Sequence, residues 1–144
     1  MRRLPPSVVA DASLAIKWVV AEDDSAKARA VGIGRTLLAP EFLLVECANI
    51  LWKHQRRGEV GREEGTAAFS ALQAAPFQWT RDTDLVGDAR RLSNDLNHPV
   101  YDCLYLALAL RSGAPVVTAD RRFATLIAKS VAFSDCVIAL DSLA

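Results

Sequence analysis

Pro115-Val116-Val117-Thr118-Ala119-Asp120 is a short apolar, β-branched run that stops on an acid, and Ser7-Val8-Val9-Ala10-Asp11 repeats that pattern near the start of the chain. Runs of this length read as buried strands. Both are continuously apolar rather than alternating, which fits strands of a parallel sheet covered on both faces. Working outward, Thr36 to Ala39 (stopped by Pro40), Phe77 to Thr80 and Cys136 to Leu140 read as further strands. Helical periodicity fills the intervals: Ser13 to Val20, Ser25 to Val31, Glu41 to Arg57, Glu63 to Ala74, Leu85 to Leu96, Val100 to Arg111 and Arg121 to Lys129. Strands alternating with helices predict an α/β fold with a central parallel sheet, in which ligands bind beyond the carboxyl ends of the strands. Asp11 and Asp120 fall at that end.

The strongest helical pattern is Glu41 to Arg57, where Leu43, Cys47, Ile50, Leu51 and His54 share one stripe. Glu46, Asn49 and Lys53 form a narrower polar stripe on it. Trp18 and Trp52 lie within helical patterns and are expected to pack in the core.

The chain has 144 residues, enough for one domain, taken as 1–144, with a real core. With 51% hydrophobic and 24% charged residues it is neither disordered, fibrous nor a disulfide scaffold. No repeat or low-complexity segment interrupts it. The basic start Met1-Arg2-Arg3 is not followed by an apolar run of signal-peptide length. The longest apolar run, Cys103 to Leu110, falls far short of the roughly 20 residues a membrane span needs. Cys47, Cys103 and Cys136 are odd in number and widely spaced, so they read as buried thiols of a reducing, cytoplasmic compartment. Two histidines, His54 and His98, offer little material for a zinc site or a histidine-based triad.

Four acids interrupt or end apolar segments: Asp11, Glu46, Asp102 and Asp120. Each has a structural explanation available. Asp11 and Asp120 precede helices and are preferred N-caps; Asp102 in a first turn suits the helix dipole. Glu46, set mid-helix among apolar neighbours, needs a partner if buried. Should the four converge, each pair at about 4 Å repels by roughly 4 kcal/mol at an effective dielectric near 20. Divalent cations remove that cost. Carboxylate oxygens suit Mg²⁺ or Mn²⁺, and such a site suits phosphodiester hydrolysis.

Four pieces of sequence together resemble the PIN-domain family, specifically VapC toxins of bacterial toxin–antitoxin systems. They are Val8-Val9-Ala10-Asp11-Ala12-Ser13 with Lys17-Trp18, then Ala39-Pro40-Glu41-Phe42-Leu43-Leu44-Val45-Glu46-Cys47-Ala48-Asn49-Ile50-Leu51-Trp52, then His98-Pro99-Val100-Tyr101-Asp102-Cys103-Leu104-Tyr105-Leu106-Ala107-Leu108-Ala109, then Val117-Thr118-Ala119-Asp120-Arg121-Arg122-Phe123. The resemblance implies a three-layer α/β/α domain and a Mg²⁺- or Mn²⁺-dependent endoribonuclease. Its acidic quartet carries over to Asp11, Glu46, Asp102 and Asp120, all taken as catalytic and metal-ligating. Ser13, Asn49 and Thr118 match polar positions beside the metal. The family also implies a homodimer and a small VapB antitoxin as partner. Arg57, Arg62, Arg121 and Arg122 are candidates for contacting RNA phosphates. A loop around Gly32 to Gly34 and a segment from Gly58 to Trp79 depart from the pattern and bear on substrate choice.

Other α/β enzymes fit less well. A haloacid-dehalogenase-type phosphatase needs a second Asp two residues after the first, where this chain has Ser13. Gly32-Ile33-Gly34 follows a helix and lacks the third glycine of a dinucleotide loop. The adjacent acids of a receiver domain are absent. The remaining alternative is a catalytically silent PIN-fold module that binds RNA or antitoxin. Seventeen Lys+Arg against seventeen Asp+Glu give a net charge of zero, which by itself argues against a nucleic-acid partner. Setting the quartet aside leaves thirteen acids against seventeen bases, a surplus of +4 on the rest of the chain.

Overall fold

The computed structural model describes residues 3–144, so Met1 and Arg2 of the basic start lie outside it. In chain order the elements are β1 (Ser7–Ala10), α1 (Ala12–Val19), α2 (Ser25–Gly32), β2 (Thr36–Pro40), α3 (Phe42–Arg56), α4 (Arg62–Ala74), β3 (Phe77–Thr80), α5 (Asp82–Leu96), α6 (Val100–Ser112), β4 (Val116–Thr118), α7 (Arg121–Ala128) and β5 (Val137–Ala139). A 3₁₀ turn, Leu140–Ser142, follows.

The five strands form one parallel sheet in the order β3-β2-β1-β4-β5. Parallel pairing needs crossover connections, and the helices supply them. β1 lies at the centre, pairing with β2 through Val8↔Leu37 and with β4 through Val9↔Val116 and Ala10↔Val117. The chain works outward from β1 to β3, then returns across β1 to build β4 and β5. The order therefore reverses between β1 and β4, and a crevice opens there beyond the strand ends. Asp11 is the first residue past β1, and Thr118, the last of β4, follows in register beside it.

Val8, Val9, Ala10, Val116 and Val117 are wholly buried. Helices α1 to α4 pack on one another, while α6 lies against β1, β2 and β4 with α5 beside it. The α/β/α layering expected from the sequence is thus present. Helix α6 is buried at every position from Cys103 to Ala109, which explains why it is apolar all round. Gly113, at φ 73°, closes it in the left-handed region that glycine adopts without strain.

Two details differ from the sequence reading. Helix α5 starts at Asp82 rather than Leu85, because Asp82 and Asp84 occupy its first turn, where acids complement the dipole. Asp82 Oδ1 also accepts the Phe42 N–H at 3.0 Å, capping α3, whose own preceding residue provides no cap. Trp52 is the clearest correction: it is 51% exposed and not part of the core. It sits one residue past Leu51, on the far side of the buried stripe of α3. Trp18 does pack inward, half-buried, stacked on Phe77 at 5.6 Å with its indole N–H donated to the Ala28 carbonyl at 2.7 Å. The three thiols are free; Cys47 and Cys103 are buried, Cys136 partly so. No helix among the described residues is long and apolar enough to cross a membrane.

Candidate active site

Asp11 is the most constrained side chain at the strand ends. Its Oδ1 accepts from the Ser13 hydroxyl at 2.7 Å and from the Leu14 N–H at 3.0 Å, so it caps α1. Its Oδ2 accepts from the Thr118 hydroxyl. Ser13 Oγ takes the Ala119 N–H at 2.9 Å, and Thr118 Oγ1 takes the Asp120 N–H at 3.0 Å. Two hydroxyls therefore tie the end of β1 to the end of β4, and both polar positions singled out in the sequence face Asp11. Burial dominates the electrostatics, since Asp11 is 5% exposed. It pushes the carboxyl up to about 6, against the lowering effect of the three donors and with help from the charge of Asp102.

Glu46, in the second turn of α3, finds the partner its mid-helix position demands. The Tyr105 hydroxyl donates to Glu46 Oε1 at 2.5 Å. Burial raises Glu46 to about 7; the tyrosine bond lowers it, and the charges of Asp102 and Asp11 raise it. Tyr105 comes from α6, one turn after Asp102, and its own hydroxyl is pushed well above the usual range by burial and by Glu46. The buried Cys47 thiol is likewise pushed up to about 12, first by burial and then by Glu46 and Asp11. Nothing here prepares a thiolate nucleophile.

Asp102 lies in the first turn of α6, with Oδ2 at 2.6 Å from His98 Nε2. The His98 ring stacks on Phe123 at 5.6 Å. Asp120 Oδ1 in turn accepts from the N–H groups of Arg122 and Phe123 at 3.0 and 3.2 Å, which makes Asp120 the N-cap of α7. Asp11, Glu46 and Asp102 thus share one electrostatic field from three separate elements. Asp120 joins them through hydrogen bonds and packing, by way of Thr118 and of Phe123 under His98.

The donor set is all oxygen, as a hard divalent cation requires. Glu46 Oε2, Asp102 Oδ1 and Asp120 Oδ2 take no hydrogen bond among the described residues, while the opposite oxygen of each is held. Among the described residues, however, no three His, Cys, Asp or Glu side chains are gathered tightly enough to hold one ion. Burial first, and the charges of neighbouring acids after it, raise Asp11 and Glu46, and a cation is the charge that would offset both. The chemistry of the residues therefore fits such an ion.

Asn49, one turn beyond Glu46, is exposed and holds none of the four acids. Arg57, Arg62, Arg121 and Arg122 are all exposed; Arg121 pairs with Asp141 at 2.8 Å. Sequence reasoning missed Tyr105 and His98 as partners of the acids. Both left a signal: a tyrosine inside an apolar helix needs a partner for its hydroxyl, and His98 precedes Asp102 by four residues.

Comparison with known proteins identifies the fold and the family. The PIN domain family model matches residues 8–129. Ribonuclease VapC3 of Pyrobaculum aerophilum is 33% identical over 125 residues, covering 81% of this chain and 92% of that protein. Among solved structures, Mycobacterium tuberculosis VapC20, described as a Sarcin-Ricin loop cleaving toxin, superposes with TM-score 0.64 at 14% identity, over 82% of this chain and 93% of that one. VapBC2 from Rickettsia felis, bound to a DNA fragment from its promoter, gives TM-score 0.61 at 11% identity, over 92% and 97%. At these identities the solved structures speak for the fold, and the family model and VapC3 for descent. The chain belongs to the PIN-domain family, in its VapC branch.

Proposed function

We propose that this protein is the toxin of a type II toxin–antitoxin pair and a divalent-metal-dependent endoribonuclease acting in the cytoplasm. The observation that carries the reading is the meeting of Asp11, Glu46 and Asp102 in one field at the switch point of the sheet, two of them with raised pKa values. Likeness to a named ribonuclease supports the reaction class.

Asp11 and Asp102 would be the main ligands of Mg²⁺ or Mn²⁺, with Glu46 and Asp120 holding a second ion or its waters. When bound, the cation supplies Lewis acidity toward a phosphoryl oxygen and acidity to an attacking water. The chain's own residues prepare that site. Ser13 and Thr118 fix the Asp11 carboxylate, Tyr105 aims Glu46, and His98 holds Asp102 by one oxygen. The exposed Arg57, Arg62, Arg121 and Arg122 would meet phosphates. A VapB-type antitoxin is the expected inhibitor, the Rickettsia felis relative being a VapBC assembly, and a homodimer the expected state.

The test is RNA cleavage by the purified protein in Mg²⁺, Mn²⁺ or EDTA, with Asp11→Asn and Asp102→Asn alongside. Cleavage is expected only from the wild type with metal. Activity that survives EDTA and both substitutions sinks the metal-nuclease reading.

A further inference from the structure

The last two turns of α3 carry a second surface that the acidic centre does not use. Trp52 is 51% exposed, and the Arg56 guanidinium lies over its ring at 5.0 Å. With Lys53 and Arg57 they line a hollow of about 330 Å³. Its charged groups are all cations; the next acid along the chain, Glu59, is engaged by His54 at 2.5 Å. At 3.6 residues per turn, Lys53 and Arg57 stand within about 20° of the direction of Glu46 around the helix. On the face that carries Glu46 to the acids, cations therefore follow about 10 and 16 Å further along the helix. Complementing the helix dipole accounts for bases in a last turn, but it gives the bare indole no role.

We propose that Trp52, Lys53, Arg56 and Arg57 form a subsite for single-stranded RNA, with the Trp52–Arg56 pair stacking a base and the cations meeting phosphates. This rests on the ribonuclease reading and adds a path for the strand leaving the cleavage centre. An aromatic face among cations is what sequence-tolerant binding of single strands uses. A second copy of the chain is the poorer occupant, because a two-fold contact centred here sets like charges against like.

The experiment measures binding of a fluorescein-labelled 12-nucleotide oligouridylate to an Asp102→Asn parent by anisotropy, with molecular mass followed by sedimentation. Adding Trp52→Ala is expected to weaken binding about tenfold, and Trp52→Phe to restore most of it. Arg56→Glu is expected to weaken binding and flatten its salt dependence. Mass stays unchanged throughout. Unchanged affinity in Trp52→Ala overturns the subsite alone, and a change of mass without a change of affinity assigns the face to a second copy. A parent that binds no oligouridylate even at low salt overturns the subsite together with the RNA reading.

Discussion

The Thr118 hydroxyl donates to Asp11 Oδ2, joining the last residue of β4 to the first residue past β1. Thr118 Oγ1 also accepts the Asp120 N–H, so one side chain serves two acids of the candidate site. Thr118→Val keeps the shape and removes both bonds, leaving a buried carboxylate oxygen and an N–H without partners. A loss of about 1–3 kcal/mol in denaturant unfolding at pH 7 is expected, with Thr118→Ser recovering most of it. A Thr118→Val protein as stable as the wild type would show that the clamp carries no weight.

Stability without metal should fall as pH rises from about 4 to 7. Asp11 titrates near 6 and Glu46 near 7, against 3.8 and 4.5 for the unconstrained groups. Between those values the folded state binds more protons than the unfolded one, so raising the pH favours unfolding. The gap for Asp11 is worth about 3 kcal/mol at 1.36 kcal/mol per unit. Asp24, held down by Lys17, works in the opposite sense only below pH 4, outside this window. Thermal melting in EDTA checks the sign; a melting temperature that climbs across the window contradicts it. Asp11→Asn should flatten the curve, and Mn²⁺ at pH 7.5 should raise the wild-type melting temperature.

Tyr105→Phe removes the donor that lowers the Glu46 pKa, so Glu46 should titrate still higher. At neutral pH a larger share of Glu46 is then protonated and competes with the cation. Cleavage at limiting Mn²⁺ should drop about tenfold and recover at higher pH or saturating metal. Unfolding free energy should change by only about 1 kcal/mol. An unchanged Mn²⁺ activation curve would assign the tyrosine a packing role alone.

His98→Ala frees Asp102 Oδ2 and removes the ring from Phe123. Outer partners of ligating groups are worth about 10- to 100-fold in metal affinity, so the half-saturating Mn²⁺ concentration should rise by at least about tenfold. His98→Gln, whose amide can still donate, should fall between. Electron paramagnetic resonance titration of free Mn²⁺ reads this without RNA, and equal affinities in all three proteins would exclude the role.

Much of this was legible in the chain because the signals are local. Runs such as Val116-Val117-Thr118 fix a strand through the side chains of the run itself, and the stripe Leu43, Cys47, Leu51 fixes which side of α3 turns inward. An acid at the end of an apolar run is likewise visible in one dimension. The sequence therefore determined the α/β order, the parallel sheet and the four acids worth examining.

The partners of those acids depended on register between distant elements. Tyr105 meets Glu46 across 59 residues and Thr118 meets Asp11 across 107, distances that no periodicity encodes. Trp52 shows a related limit: the stripe of Leu43, Cys47 and Leu51 turns it away from the core, but only tertiary packing decided that no neighbouring helix covers it. The tertiary structure alone buried Asp11 and Glu46 near Asp102, and that burial is the first cause of their raised pKa values.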